Sequence, residues 1–237
     1  MDATTILRRY EAGDRDFSGL KLLEMDLLQI DLRGANFSHC DLRQSRLGRT
    51  RFNGGMFDQA DLSEALLWGA DFSDVHGTQI RLRDADLTGA LFVRANLHQA
   101  NLVKAILSGA NLQATNLSEA LLIEADLRPS SDQQTNLGRA NLAGANLSYA
   151  HLTGAAFPHA NLRGAILCRA RVGGGLPLDA PKTDLSGANL QGADLSYADL
   201  SGVILVNADL SQADLTGANL HQADLTGATL PDGTMKD

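Results

Sequence analysis

The residues of this chain that could carry chemistry are six histidines, two cysteines and a long series of aspartates. Two carboxylates held close together raise one another's pKa and can share acid–base work. Asp194 and Asp214 meet that condition if something stacks residues twenty apart, but the same pairing then recurs wherever the pattern dictates it. Such a series is a solvated ladder and not an active site. Cys40 and Cys168 are only two and far apart, which suggests neither a disulfide nor a metal site. No Gly-rich phosphate loop, nucleophile elbow or His/Cys zinc spacing occurs. The sequence predicts no catalysis, no metal and no cofactor.

What places these side chains is a beat of five. Of the 32 positions at intervals of five from Phe17 to Val172, 30 are Leu, Phe or Val, the exceptions being Gly77 and Asp132. A second series from Leu185 to Leu230 fills ten positions of ten with Leu. Two places earlier stands a small residue. Ala95, Ala100, Ala105 and Ala110 precede Leu97, Leu102, Leu107 and Leu112, and Leu117 continues the series. A helix of 3.6 residues per turn would scatter these leucines around its circumference, and an uninterrupted strand would alternate them between faces. A short extended segment followed by a turn sends the small residue and the Leu inward and the Asn or Asp between them outward. Coiling such units around their inward side chains makes a β-solenoid cored with Ala and Leu.

The unit A-(D/N)-L-x-x, running from residue 15 to 230, resembles the pentapeptide repeat family. The resemblance implies an all-β fold, a right-handed quadrilateral β-helix of four units and twenty residues per coil. About 10 coils at about 4.8 Å apart make a rod about 50 Å long. Every histidine then takes an outward position. His39 and His159 fall on one face about 29 Å apart, too far to share a metal.

Interruptions divide the chain. Residues 1–13 read as an N-terminal capping helix with Asp2 or Thr4 as N-cap and Ile6, Leu7 and Tyr10 on one face. The β-helix then runs over 14–172 and, after a Gly- and Pro-rich loop at 173–183, over 184–230, leaving a tail at 231–237. Gly77 empties a core position, as at a wide corner. Within "DLRPSSDQQTNLG" the beat fails at Asp132 and resumes in phase at Leu137. Burying an ionised Asp132 among leucines costs several kcal/mol, and Pro129 lacks an N–H for the ladder. Residues 128–134 are therefore expected to bulge outward, with Thr135 resuming the inward position.

Partner-binding candidates are the departures from the repeat. On a coil of twenty, Tyr149 lies beside Pro129 and His151 beside Ser131, which makes one raised patch of Pro129, Ser131, Asp132, Gln133, Tyr149 and His151. Leu66 and Trp68 are a second candidate, because both take outward positions, Trp68 is the sole Trp, and Trp is enriched among interface hot spots. Counted in twenties, Leu66, Ile106 and Ile166 share a face.

Charge narrows the partner. The chain carries −8, with nine basic and nine acidic residues over 1–60 but two and eight over 181–237. That disfavours nucleic acid. No apolar run approaches the ~18 residues of a membrane span and no export signal opens the chain, so a cytoplasmic protein is expected. A rigid rod without a pocket suits binding to other proteins. The segments "ILRRYEAGDRDFSG", "LLWGADFS" and "LPDGTMKD" resemble members of the family from cyanobacteria that act in heterocyst differentiation. That resemblance implies a positive, non-enzymatic regulator whose partners are other regulatory proteins of the pathway, countering inhibition of the differentiation regulator. The alternative is the branch of the family that mimics DNA and protects gyrase. The acidic, thinly capped C-terminal end permits a monomer or an end-to-end dimer.

Overall fold

The computed structural model describes residues 2–174 and 181–236. Each five-residue unit forms one side of a square. Its Asn or Asp makes a parallel bridge to the next coil, its Leu points inward, and the two residues after the Leu turn the chain. The N–H of the following small residue closes the turn, as Ala100 does on the Leu97 carbonyl at 3.0 Å. The second turn residue is left-handed, with φ of +56° at Gln99 and +60° at Lys104, the reason Gly is frequent at that position.

Bridges join Asp16, Asn36 and Met56 on a first face, Lys21, Asp41 and Asp61 on a second, Asp26, Arg46 and Leu66 on a third, and Asp31, Arg51 and Asp71 on a fourth. The result is a right-handed β-helix. Leu97, Leu102, Leu107, Leu112 and Leu117 are buried with Ala95, Ala100, Ala105 and Ala110, each Leu contributing roughly 1.5–3 kcal/mol. Near the N-terminus the core is aromatic. Phe17, Phe37 and Phe57 stack with centroids 5.2 and 5.3 Å apart. Gly77 comes next in that column, yet the corner keeps its width. Its N–H reaches the Asn96 carbonyl at 2.8 Å, and Leu97 Cδ2 lies 3.2 Å from where a Cβ would stand.

Where the inward small residue carries a polar atom, that atom is satisfied by the preceding coil. Cys40 Sγ donates to the Phe17 carbonyl at 2.9 Å, Ser45 to Leu22 at 3.0 Å and Thr115 to Phe92 at 2.6 Å. Outward Asn and Asp side chains accept from the N–H two residues on. Asp214 accepts from Thr216 at 2.9 Å, and that hydrogen bonding holds its pKa below the usual carboxylate value despite the bridge to Asp194. The aspartate ladder therefore closes turns.

The two ends differ. Helix α1, Ala3–Glu11, is capped by Asp2, whose carboxylate accepts from Thr5 N–H at 2.8 Å. It plugs the first coil with fully buried Ile6, and Tyr10 donates to the Arg33 carbonyl at 2.9 Å. At the other end Leu215, Leu220 and Leu225 are only partly buried, and their N–H groups have no backbone acceptor among the described residues. Residues 231–236 fold back through an antiparallel bridge between Thr229 and Met235, which covers one side of that coil.

Candidate partner-binding site

Parallel bridges span twenty residues except at two places. They span 25 in the pairs from Asn111–Asn136 to Asp126–His151, and 28 in those from Ala156–Asp184 to Arg171–Asp199. The chain therefore carries five and eight extra residues, and both insertions enter at the same corner, where the third face passes to the fourth. One uninterrupted turn, ending at Gly154, separates them.

Each insertion is tied off by the buried threonine that ends it. Thr135 donates to the Arg128 carbonyl at 2.9 Å and accepts from Gly109 N–H at 2.8 Å. Thr183 donates to the Val172 carbonyl and accepts from Gly154 N–H at 2.8 Å. In the first loop Ser130 N–H reaches the Gln133 carbonyl at 2.8 Å, leaving Ser131, Asp132 and Gln133 exposed. Pro129 leans on Gly154, where φ is +82° and a Cβ would stand 2.9 Å from the proline ring. Gly154 is required there on both counts. The second loop's residues 175–180 lie outside the described residues.

Beside this corner the third face holds a recess of about 510 Å³ lined by Arg128, His151, Arg169, Arg171, Tyr197 and Asp199. Arg128 forks onto Asp126 at 2.9 and 2.7 Å. Burial alone would raise the Asp126 pKa, but the guanidinium outweighs it and holds the group below its ordinary value. Arg169 lies between two tyrosine rings, 6.0 Å from Tyr149 and 5.6 Å from Tyr197. Tyr197 in turn covers Gly217, whose missing Cβ would stand 2.7 Å from the ring. Asp199 is occupied by Ser201 Oγ at 2.7 Å and Asn219 Nδ2 at 3.1 Å. Arg171 is exposed and makes no ion pair among the described residues.

Leu66 and Trp68 share the third face with this recess, three ladder steps or about 14 Å from the Asp126 unit. Leu66 is 43% exposed. Trp68 is half-buried over Gly48, where a Cβ would stand 2.5 Å from the indole, and Arg49 lies 5.1 Å from its ring.

Pentapeptide repeats match over residues 16–49, 57–92, 80–118, 90–128, 135–174, 179–205 and 193–230, with breaks at 50–56, 129–134 and 175–178. The chain belongs to the pentapeptide repeat family. Among solved structures it is similar to HetL from the cyanobacterium Nostoc sp. strain PCC 7120, a pentapeptide repeat protein involved in heterocyst differentiation regulation. The identity is 52%, all of both chains is covered and the TM-score is 0.98. A trypsin-treated form of QnrB1, a plasmid-mediated fluoroquinolone resistance protein, is 18% identical over 88% of each chain with a TM-score of 0.53, a likeness of fold alone. No curated protein matches.

The insertions correct the register counted in twenties. His151 bridges Asp126, and Pro129 meets Gly154 rather than Tyr149. Tyr149 stands across the third face from the loop, at the corner shared with the second. Ile166 joins Leu121 on the second face, whereas Leu66 and Ile106 remain on the third. His39 and His159 likewise fall on different faces, the units of Asn36 and Ala156 belonging to the first and fourth. The basic recess, made by Arg169, Arg171 and Tyr197, is invisible to that count. Only the 28-residue step across 173–183 aligns Arg169 with Tyr197. Among the described residues no group of three or more His, Cys, Asp or Glu could hold a metal ion, and no helix is long and apolar enough to cross a membrane.

Proposed function

We propose that this chain is a non-enzymatic protein-binding regulator of heterocyst differentiation. It acts positively in the cytoplasm, as a monomer or end-to-end dimer, by contacts with other regulatory proteins that counter inhibition of the differentiation regulator. The observation that carries the reading is 52% identity to HetL across the whole of both chains, loops included. Interruptions of a smooth rod are where a partner finds something to recognise. The corner built by Pro129, Ser131, Asp132 and Gln133, with His151 and Tyr149 across the third face, is the binding surface, and Leu66 and Trp68 extend it along the rod.

Removing residues 129–133 gives the test. The remaining Ala125, Asp126, Leu127, Arg128 and Gln134 form an ordinary unit, with Gln where Gln29, Gln44 and Gln79 already take positive φ. In a pull-down from a filamentous cyanobacterium, the full chain should recover a regulatory partner that the shortened one loses. Equal recovery would remove the loop from the site. Sparing of gyrase from a quinolone in a supercoiling assay would favour DNA mimicry. Against that reading, the acidic residues of the last quarter spread over all four faces, Asp184 and Asp224 on the fourth, Asp209 on the first, Asp194 and Asp214 on the second and Asp199 on the third.

A further inference from the structure

The recess on the third face is positive on a negative protein. It holds the guanidinium groups of Arg128, Arg169 and Arg171 and the imidazole of His151, against the carboxylates of Asp199 and of Asp126 behind Arg128. The chain as a whole carries −8. The two acids are already engaged, Asp126 by Arg128 and Asp199 by Ser201 and Asn219. Arg171 and Arg169 form no ion pair among the described residues, so three guanidinium groups face two carboxylates and the recess stays net positive. The rings of Tyr149 and Tyr197 flank Arg169 and limit the entropy it loses on binding. Tyr197 bounds the recess on one side and Thr153, Gly173 and Gly174 on the other, and a concave surface of one sign focuses the field inside.

Dimensions indicate what fits. The lining comes from four successive coils, those of Asp126, His151, Arg171 and Asp199, and so extends about 14 Å along the rod. A single oxyanion fills a small part of that length. An extended peptide advances about 3.3–3.6 Å per residue, so about four residues span it. We infer that this recess receives a short acidic segment of a protein partner, its carboxylates taken by Arg171 and Arg169 and its chain laid along the third face beside Tyr197. The inference rests on the reading of the protein as a protein-binding regulator and names the chemistry of the partner.

Fluorescence anisotropy of a labelled hexaglutamate peptide against the full chain tests it. Binding is expected, weakening as salt rises and weakening at least tenfold in Arg171→Glu and in Arg169→Glu. It is expected to persist in Arg163→Glu, which makes the same charge change on the opposite, first face. Failure of hexaglutamate to bind, or equal weakening in Arg163→Glu, would overturn the site. Displacement of the peptide by an equal concentration of inorganic phosphate would also overturn it, since the recess would then be a simple oxyanion site. The two readings fail separately. A partner captured by the full chain, lost on removing residues 129–133 and retained by Arg171→Glu would refute the acidic segment and leave the regulator standing.

Discussion

Position-specific backbone demands dominate at the scale of single residues. Ala114 has φ of +56° in an exposed turn, a conformation that costs a residue with a Cβ about 1–2 kcal/mol. Ala114→Gly should therefore stabilise the fold by about 0.5–1 kcal/mol after the greater unfolded-state freedom of Gly is deducted, read as a higher denaturant midpoint. No change or a loss would contradict the left-handed assignment. Gly48 has the opposite constraint, because the Trp68 indole occupies the space of its Cβ. Gly48→Ala should lift the ring off the coil and shift the emission of this sole Trp to longer wavelength. An unchanged spectrum would show that Trp68 does not rest there. The register of the repeat places Trp68 outward, but it does not reveal the tilt onto the coil before it. That tilt depends on Gly48, which stands twenty residues away and is ordinary as a letter in the repeat.

Elements here are units and their interruptions. A beat of five filled by Leu, Phe or Val at 30 of 32 positions, with a small residue two places earlier, leaves the same two inward positions on every side, so the solenoid and its core are legible in the amino-acid sequence. The bulge at 128–134 is legible too, from the cost of burying Asp132 and the missing N–H of Pro129. Its consequence for register is not. Ten residues from Leu127 to Leu137 keep the beat whether they lie along a side or leave it, and only the bridge from Asn111 to Asn136 shows five of them extra. A chain lacking residues 129–133 should fold with a melting temperature within a few degrees of the parent, since the coil then closes at twenty. A loss of cooperative unfolding would mean that residues 129–133 hold the coil together rather than form an accessory loop. Leu117→Ala removes a fully buried side chain and should cost about 2–5 kcal/mol, the ordinary penalty for a core cavity.

The whole molecule responds to pH through its turn-closing aspartates. Hydrogen bonds from Ser211, Thr216 and Thr226 lower the pKa values of Asp209, Asp214 and Asp224, and Arg94 does the same for Asp74. A folded-state pKa below the unfolded one adds stability that is complete above the unfolded value, near 4, and is lost as pH falls through the folded value. The melting temperature should therefore be level with respect to these groups from about pH 7 to 5 and fall below about pH 4. Stability that rose on acidification would contradict the ladder. At neutral pH the rod is a rigid support, plugged by α1 at one end, thinly covered at the other, and marked at one corner by two loops beside a basic recess. The proposed action of this corner on heterocyst differentiation has a direct readout. The most direct measurement is heterocyst frequency in a heterocyst-forming filamentous cyanobacterium induced to produce either the full chain or the chain lacking residues 129–133 at matched levels. The full chain is expected to raise the frequency and the shortened, folded chain to leave it unchanged; no rise with the full chain would refute a positive role in differentiation, and an equal rise with both would refute the role of the corner.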